Sequence, residues 1–526
     1  MTVILHHGGD LPPKDTYGKW LSIGAATDHL DPARLEKSFD AVATSWLELG
    51  RLLGGVASAS LAHAPSCATN ISDLGVMKAW SLIVQEEASK PELCLVVCND
   101  PWMFRHLSQL DGVDAGEPPP LTLAETKLFL RGIMARIKCA FGLFRKYIAL
   151  RGQKKYAVPG AEVLLVYGHP TSTAEGQDGY FGALMTKMAD VRRILHVDCD
   201  INRARELEAG GRTLSLHAWG RLRDIPGLLF ARWRPAPEHL TAADGWLVRR
   251  AACKEGGTAQ GAMIAWQQKC QRRWLAETKP RVVAWPWENH SWERDFVRAA
   301  RAAGVRTIGY QHSVIGPQML NYSPASNPDG RASIPDHVLC TGRATREQLL
   351  DWGLPAQGLE IGGALRIPGI KELQADSSGP VFIALPFDGE TARQMVAAAH
   401  TLTGRGFRFL VKDHPMSPCH FTPANGIERT DRPFFEHEGL RAVLYAATTV
   451  GLESALAGLP TIRFRPRGRL ALNILPGDID LPVADSENLE QVLIGIRPPV
   501  INGGRVFSPA SIEFWKRTLA HDRPVS

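Results

Sequence analysis

Residues 408–415 read RFLVKDHP, and further on residues 442–460 read AVLYAATTVGLESALAGLP. Each begins as an apolar run of strand length and ends in polar residues, and the second passes directly into a helical pattern. A strand, a turn and a helix in succession form the unit of a parallel α/β sheet, where polar residues at the strand's carboxyl end face the ligand crevice. Lys412 and His414 are thereby placed to neutralise phosphate oxygens, with Pro415 holding the turn. A basic surface turn is the plainer alternative. Thr448 and Thr449 precede a helix that begins near Val450, where hydroxyls and free backbone N–H groups make an anion site and where either Thr also serves as an N-cap. Glu453, one turn into that helix, is placed to bond a ribose or to stay solvated. A similar loop follows the strand at 381–385 and brings Asp388 and the backbone amide of Gly389 toward the same crevice.

Working outward, the same alternation of short apolar runs and amphipathic helices recurs along the chain. Strands are expected at about 94–98, 163–167, 194–198, 281–285 and 306–310, then at 337–340, 381–385, 408–412, 442–445 and 461–464. Between the two groups lies NYSPASNPDGRASIP, residues 321–335, whose Pro, Ser, Asn and Gly content reads as an interdomain linker. The fold class is therefore α/β, with two Rossmann-like lobes and a cleft between them. The first lobe is expected over residues 1–330 and the second over 336–505, with a helix within 506–526 that packs back across the cleft. The first 90 residues carry helical stretches such as 33–54 and no evident chemistry, and are assigned to the first lobe.

The sequence VVAWPWENHSWERDFVRAARAAGVRTIGYQHS, residues 282–313, supplies the chemistry on the other side. Glu288 and His290 follow one strand, and Gln311 and His312 end the next. A carboxylate beside histidines is the minimum for removing a proton from an acceptor hydroxyl; a buried Glu–His pair that fixes a loop is the structural alternative. Trp287, in the same turn, is a candidate for stacking on a sugar or base, or for core. Asp178, in the loop Asp178-Gly179-Tyr180-Phe181-Gly182 after the strand 163–167, is a second carboxylate at a strand's carboxyl end; the plainer reading is an Asp-Gly turn.

The pairing of KDHP with TTVGLESALAGLP resembles the C-terminal lobe of GT-B glycosyltransferases of capsule and lipopolysaccharide synthesis, especially those using CMP-activated Kdo or nonulosonic acids. The ENHSWE…GYQHS stretch, with IPDHVLCTGRATREQLLDWG and IGGALR after it, resembles a block of bacterial surface-carbohydrate biosynthesis proteins. The resemblance runs from about residue 280 to 465. It implies nucleotide or phosphate contacts for Lys412, His414, Pro415, Thr448 and Thr449, and transfer of a sugar to a surface glycan or lipid-linked acceptor. It also implies a first-lobe Asp or Glu as base, which sets Asp178 beside Glu288 as a candidate for that role. The hydroxyl pair here is Thr-Thr where Ser-Ser is commoner. A CDP-glycerol or CDP-ribitol phosphotransferase, with a similar architecture, is the alternative within enzymes, and a non-catalytic scaffold of a polysaccharide assembly complex the alternative outside them.

Bulk properties set the limits. At 526 residues, 44% hydrophobic and 22% charged, the chain has the composition of a globular protein with more than one core. The net charge of +6 does not argue for nucleic acid. No apolar run has membrane-spanning length, and the opening MTVILHHGGD lacks the basic and apolar regions of a signal peptide. Nine scattered cysteines suit reduced thiols in the cytoplasm, and Cys94 and Cys98 sit in an apolar strand. No His/Cys cluster has zinc spacing, so no metal and no cofactor is expected. Residues 127–155 carry nine Lys/Arg and no Asp/Glu, with Leu130, Ile133, Met134, Ile137, Phe141, Phe144 and Ile148 at helical spacing. Such a helix either packs on the core with a solvated basic face or lies on an anionic bilayer, at the inner face of the plasma membrane.

Overall fold

The computed structural model describes residues 2–8, 16–25, 30–366, 369–415 and 417–520. Residues 521–526 of the expected C-terminal segment, and residues 1, 9 and 10 of the opening stretch read for a signal peptide, lie outside them. Seventeen strands fall into three parallel sheets among the described residues.

The N-terminal stretch builds a sheet of its own, with β1 (Val3–His6), β2 (Lys19–Ser22), β3 (Cys94–Val97) and β4 (Val113–Ala115) in the order β2-β3-β1-β4. The strand at Cys94 therefore does not pair with the strand at 162–166, contrary to the single first-lobe sheet read from sequence. Helices Pro32–Gly54 and Leu74–Ala88 cover it, and Trp46, Trp80 and Trp233 fill its core. The later helix Gly245–Gly256 closes the same core through Leu247 and Val248. Its buried Arg250 pairs with Asp73 at 2.7 Å and Asp100 at 2.6 Å.

The second sheet contains β5 (Glu162–Val166), β6 (Arg192–Leu195), β7 (Thr213–Ser215), β8 (Val282–Pro286), β9 (Arg306–Gln311), β10 (His337–Cys340) and β11 (Leu359–Ile361). Its order is β11-β10-β9-β8-β5-β6-β7, with apolar cores on both faces, as a parallel sheet requires. The order reverses between β5 and β8, so a crevice opens at their carboxyl ends.

This sheet corrects the domain boundary. β10 pairs with β9, matching His337 to Ile308 and Cys340 to Gln311, so the first lobe runs to Ile361 rather than to 330. The Pro/Ser/Asn-rich segment is not a linker. Asn321, Ser323, Ser326, Asn327 and Ser333 are buried, and short 3-10 turns there pack under the helix Ser291–Ala302. Composition misled because its polar side chains bond inward instead of to water.

The second lobe holds β12 (Val381–Ala384), β13 (Phe409–Lys412), β14 (Ile427–Arg429), β15 (Ala442–Tyr445), β16 (Thr461–Phe464) and β17 (Val483–Ala484), ordered β14-β13-β12-β15-β16-β17. The reversal lies between β12 and β15. The chain then returns: helix Ile512–Ala520 buries Trp515 against Tyr310 and Phe181 of the first lobe, and Arg306 donates to the carbonyls of Thr518 and Leu519. The second and third sheets are the two Rossmann-like α/β lobes read from the sequence, and the N-terminal sheet is a further unit with its own core.

Candidate functional site

Glu288 is positioned by a strained turn. After β8 the chain reverses at Asn289, which sits at φ +56°, a region side chains disfavour. Its amide donates to the Asn321 carbonyl at 2.8 Å and to Asn327 at 3.0 Å. Buried Arg294 donates to the Asn289 carbonyl and to Ser326, while Asn321 donates to the Glu288 carbonyl at 2.6 Å. Glu293, fully buried, accepts the backbone N–H of Glu288 at 2.9 Å and of His290 at 3.3 Å. The misread linker is thus the buttress of the turn.

The turn points Glu288 and His290 the same way, and Nε2 of His290 lies 2.8 Å from Oε2 of Glu288. His63, from the N-terminal unit, sets its ring 5.6 Å from that of His290. His312 leaves the end of β9 with its ring 5.0 Å from Tyr180, which is 5.5 Å from His169. Strand ends two apart in the sheet therefore converge on one carboxylate, as parallel topology dictates.

Electrostatics separates the members. Burial works to raise the Glu288 pKa, but the hydrogen bond from His290 and the His290 charge outweigh it and hold the carboxyl at about 2. Burial opposes protonation of His290, yet its bond to Glu288 and the Glu288 charge raise its pKa above the ordinary value. Burial drives His312 down to about 4 and His63 to about 3, so both are neutral near pH 7. Burial pushes Glu293 up to about 8. The outcome is an ionised Glu288 among imidazoles, with a protonated carboxyl behind it.

Three first-lobe candidates turn out to be framework. Asp178 is buried: its carboxylate accepts from the N–H groups of Tyr180 at 2.9 Å and Phe181 at 3.1 Å and pairs with buried Arg193 at 3.3 Å. That leaves it holding its own loop, so it is corrected from base to turn residue. Trp287 is wholly buried with its ring edge-on to Tyr322 at 5.6 Å, so it is core and not a stacking surface. Gln311 is likewise buried beneath the site.

In the second lobe, the loops after β12, β13 and β15 lie side by side. Asp388 caps the helix Gly389–Thr403, accepting from the Thr391 N–H at 2.9 Å, and pairs with Arg469; Gly389 is the first residue of that helix. Phe387 packs edge-on to His414 at 5.6 Å, and the Lys412 ammonium donates to the Asp431 carbonyl at 2.6 Å, with Pro415 exposed. Ala447 sits at φ +48° just before Thr448, whose hydroxyl accepts from the Val450 N–H at 3.4 Å. The helix Val450–Leu456 is only seven residues long, so it offers backbone N–H groups rather than a substantial dipole.

Beside these loops is a cavity of about 470 Å³ lined by Arg366, Gly369, Ile370, Lys371, Phe434, Phe435, Glu453 and Ala457. Two cations, a carboxylate and an exposed phenyl ring suit a phosphorylated nucleoside, and the volume lies in the range of small-ligand sites. Burial raises the Glu453 pKa against the bond from Thr449 and the charge of Arg366. The guanidinium of Arg366 also acts on His312, His169 and Tyr180, so one charge is common to the two lobes. Lys412, His414 and Pro415 are not part of this lining. Lys412 reaches it through Asp431, bracing the segment that leads to Phe434 and Phe435. Arg366 lies in the IGGALR stretch and Glu293 in the ENHSWE stretch, where motif position was a usable signal. His63, Lys371 and Phe435 had none.

No protein-family model and no curated protein sequence matches the chain. Among solved structures it is similar to a UDP-N-acetylglucosamine 2-epimerase from Rickettsia bellii, at 11% identity over 69% of this chain and 96% of that chain, with a TM-score of 0.38. It is also similar to the apo form of the lipopolysaccharide outer core galactosyltransferase WaaB, at 11% identity over 69% and 95% with a TM-score of 0.32. A UDP-GlcNAc 2-epimerase of Methanocaldococcus jannaschii, in complex with UDP-GlcNAc and UDP, is similar at 12% over 68% and 99%, with a TM-score of 0.36.

Proposed function

We propose that this protein is a glycosyltransferase that takes a sugar from a nucleotide donor, with a CMP-linked Kdo or other nonulosonic acid favoured, and passes it to a surface glycan or lipid-linked acceptor. The observation that carries this reading is the shared Arg366, which joins the Glu288–His312 cluster of one lobe to the Glu453–Phe435 cavity of the other. The nucleotide occupies the cavity, its base against Phe435, its ribose toward Glu453 and its phosphates toward Arg366 and Lys371. Glu288 accepts the proton of the acceptor hydroxyl, and negative charge growing on the leaving phosphate is met by fixed cations. The cytidine preference rests on the likeness of the TTVGLESALAGLP motif, whose Glu453 and Ala457 line the cavity, to CMP-sugar enzymes.

Thermal-shift measurements with CMP, CDP, UDP and GDP test it. CMP or CDP should raise the unfolding temperature in the intact protein and fail to do so in Arg366→Ala and Glu453→Ala. A response to UDP alone would overturn the cytidine assignment, and no response to any nucleotide would overturn the reading itself.

A further inference from the structure

The helix Leu121–Leu150 is packed inside out. Its inward face is Gly132, Arg136, Ala140, Leu143 and Leu150. Arg136 donates to the carbonyls of Leu229 and Gly256 at 2.9 and 2.6 Å, and Gly132 approaches the Gly256 carbonyl so closely that a Cβ there would stand 2.1 Å from the oxygen. Those contacts fix the helix's rotation. They leave Leu130, Met134, Ile137, Phe141, Phe144 and Ile148 facing outward, each between 38% and 65% exposed. The spacing of four, three, four, three and four keeps them on one seam about 27 Å long at 1.5 Å per residue. A soluble helix buries such a seam.

Charge identifies what covers it. Arg131, Lys138 and Arg145 each follow a seam residue directly and are exposed, as are Lys127, Arg151, Lys154 and Lys155 around the seam's ends. No acidic residue occurs from Thr126 to Lys155. A second copy laid on the seam would set these cations beside like charges or neutral side chains, because the helix supplies no carboxylate there to pair with them. An apolar stripe edged mainly by cations, with Glu125 before its start held by Arg249 and Glu277 beyond its end held by Lys154, complements a bilayer whose surface carries anionic phospholipid.

We propose that this face docks the protein on an anionic membrane, with Leu130, Met134, Ile137, Phe141, Phe144 and Ile148 entering the acyl boundary and the flanking Lys and Arg meeting lipid phosphates. Among the described residues no helix is long and apolar enough to cross a membrane, so the attachment is peripheral. It does not depend on the nucleotide-sugar reading, since it needs no turnover.

Sedimentation of the full chain with phosphatidylglycerol vesicles, and separately with phosphatidylcholine vesicles, tests it. Binding to the first should be strong and fall with added salt, and binding to the second weak. Met134→Glu/Phe141→Glu should abolish binding, and Lys138→Glu/Arg145→Glu should weaken it by about tenfold or more. All four positions are exposed, and unchanged unfolding midpoints would exclude misfolding. Failure of the wild-type protein to bind phosphatidylglycerol vesicles, or unimpaired binding by Met134→Glu/Phe141→Glu, overturns the proposal. So does a wild-type dimer, seen by light scattering, that Met134→Glu/Phe141→Glu converts to monomer, since a second copy then covers the seam.

Discussion

Glu288 and His290 form a pair, 2.8 Å apart, in which the histidine is sealed in protein and the carboxylate is 37% exposed at the foot of the cleft. Only Glu288 can reach an acceptor, and its partners keep it ionised far below neutral pH. Glu288→Gln retains the shape and an acceptor for His290 while removing the base. It should lower kcat by about 10²–10⁴-fold with little change in the donor KM, measured by steady-state kinetics once the donor is in hand.

Asp178 gives the contrasting case. Asp178→Asn leaves the Arg193 guanidinium buried without its charge partner, and should destabilise the fold by about 3–5 kcal/mol in urea titrations. Turnover per folded molecule should stay near wild type. A fall in kcat like that of Glu288→Gln, without loss of stability, would return Asp178 to the role of base.

Asn289→Ala removes the bonds to Asn321 and Asn327 and forces alanine into the left-handed region. A loss of about 2–4 kcal/mol is expected in chemical denaturation. Asn289→Gly, which tolerates the backbone but makes no side-chain bonds, should recover part of it.

Acid should weaken the protein before its carboxylates titrate. His63 and His312, held at about 3 and about 4, stay neutral when folded, while in the unfolded chain they take up protons below the ordinary histidine value of 6.5. A lowered folded pKa contributes stability present above that unfolded value and lost as pH falls through the window to the folded one. The unfolding temperature should therefore drop steadily from about pH 6.5 toward pH 4. His312→Gln should show a shallower decline.

Glu293 acts at the other end. Its pKa of about 8 lies above the ordinary 4.5, so its contribution is complete below the unfolded value and lost as pH rises through the folded one. Urea midpoints should fall from about pH 6.5, where the opposing histidine effect ends, to about pH 8, and Glu293→Gln should flatten that fall if the amide oxygen keeps the Glu288 N–H.

Most strands were legible because each is a short apolar run, and β5, β8, β12, β13 and β15 fall within a residue or so of where the pattern puts them. β1, β2, β4, β7, β11, β14 and β17 were not: five of these have only two or three residues, too few side chains for a period to register, and the four-residue β1 and β2 lie in the N-terminal stretch where no strand was read. Glu288, His290 and His312 were legible for a related reason: residues just past the ends of adjacent parallel strands must meet at one edge of the sheet.

What the sequence by itself determined is the local grammar, namely strand-turn-helix units and the polar residues that end them, because backbone geometry and hydrophobic period act over a few residues. Tertiary structure alone decided which sheet each strand joined, since pairing is non-local and β10 reads the same whether it follows β9 or opens a new lobe. It also decided the use of each polar group. Asp178 and Glu288 are both carboxylates after a strand, but one is spent on Arg193 and two backbone N–H groups while the other is held ionised in the open. The seam of Leu130–Ile148 shows the same division: its period was written in the sequence, and its outward direction was set only when Gly132 and Arg136 seated the opposite face.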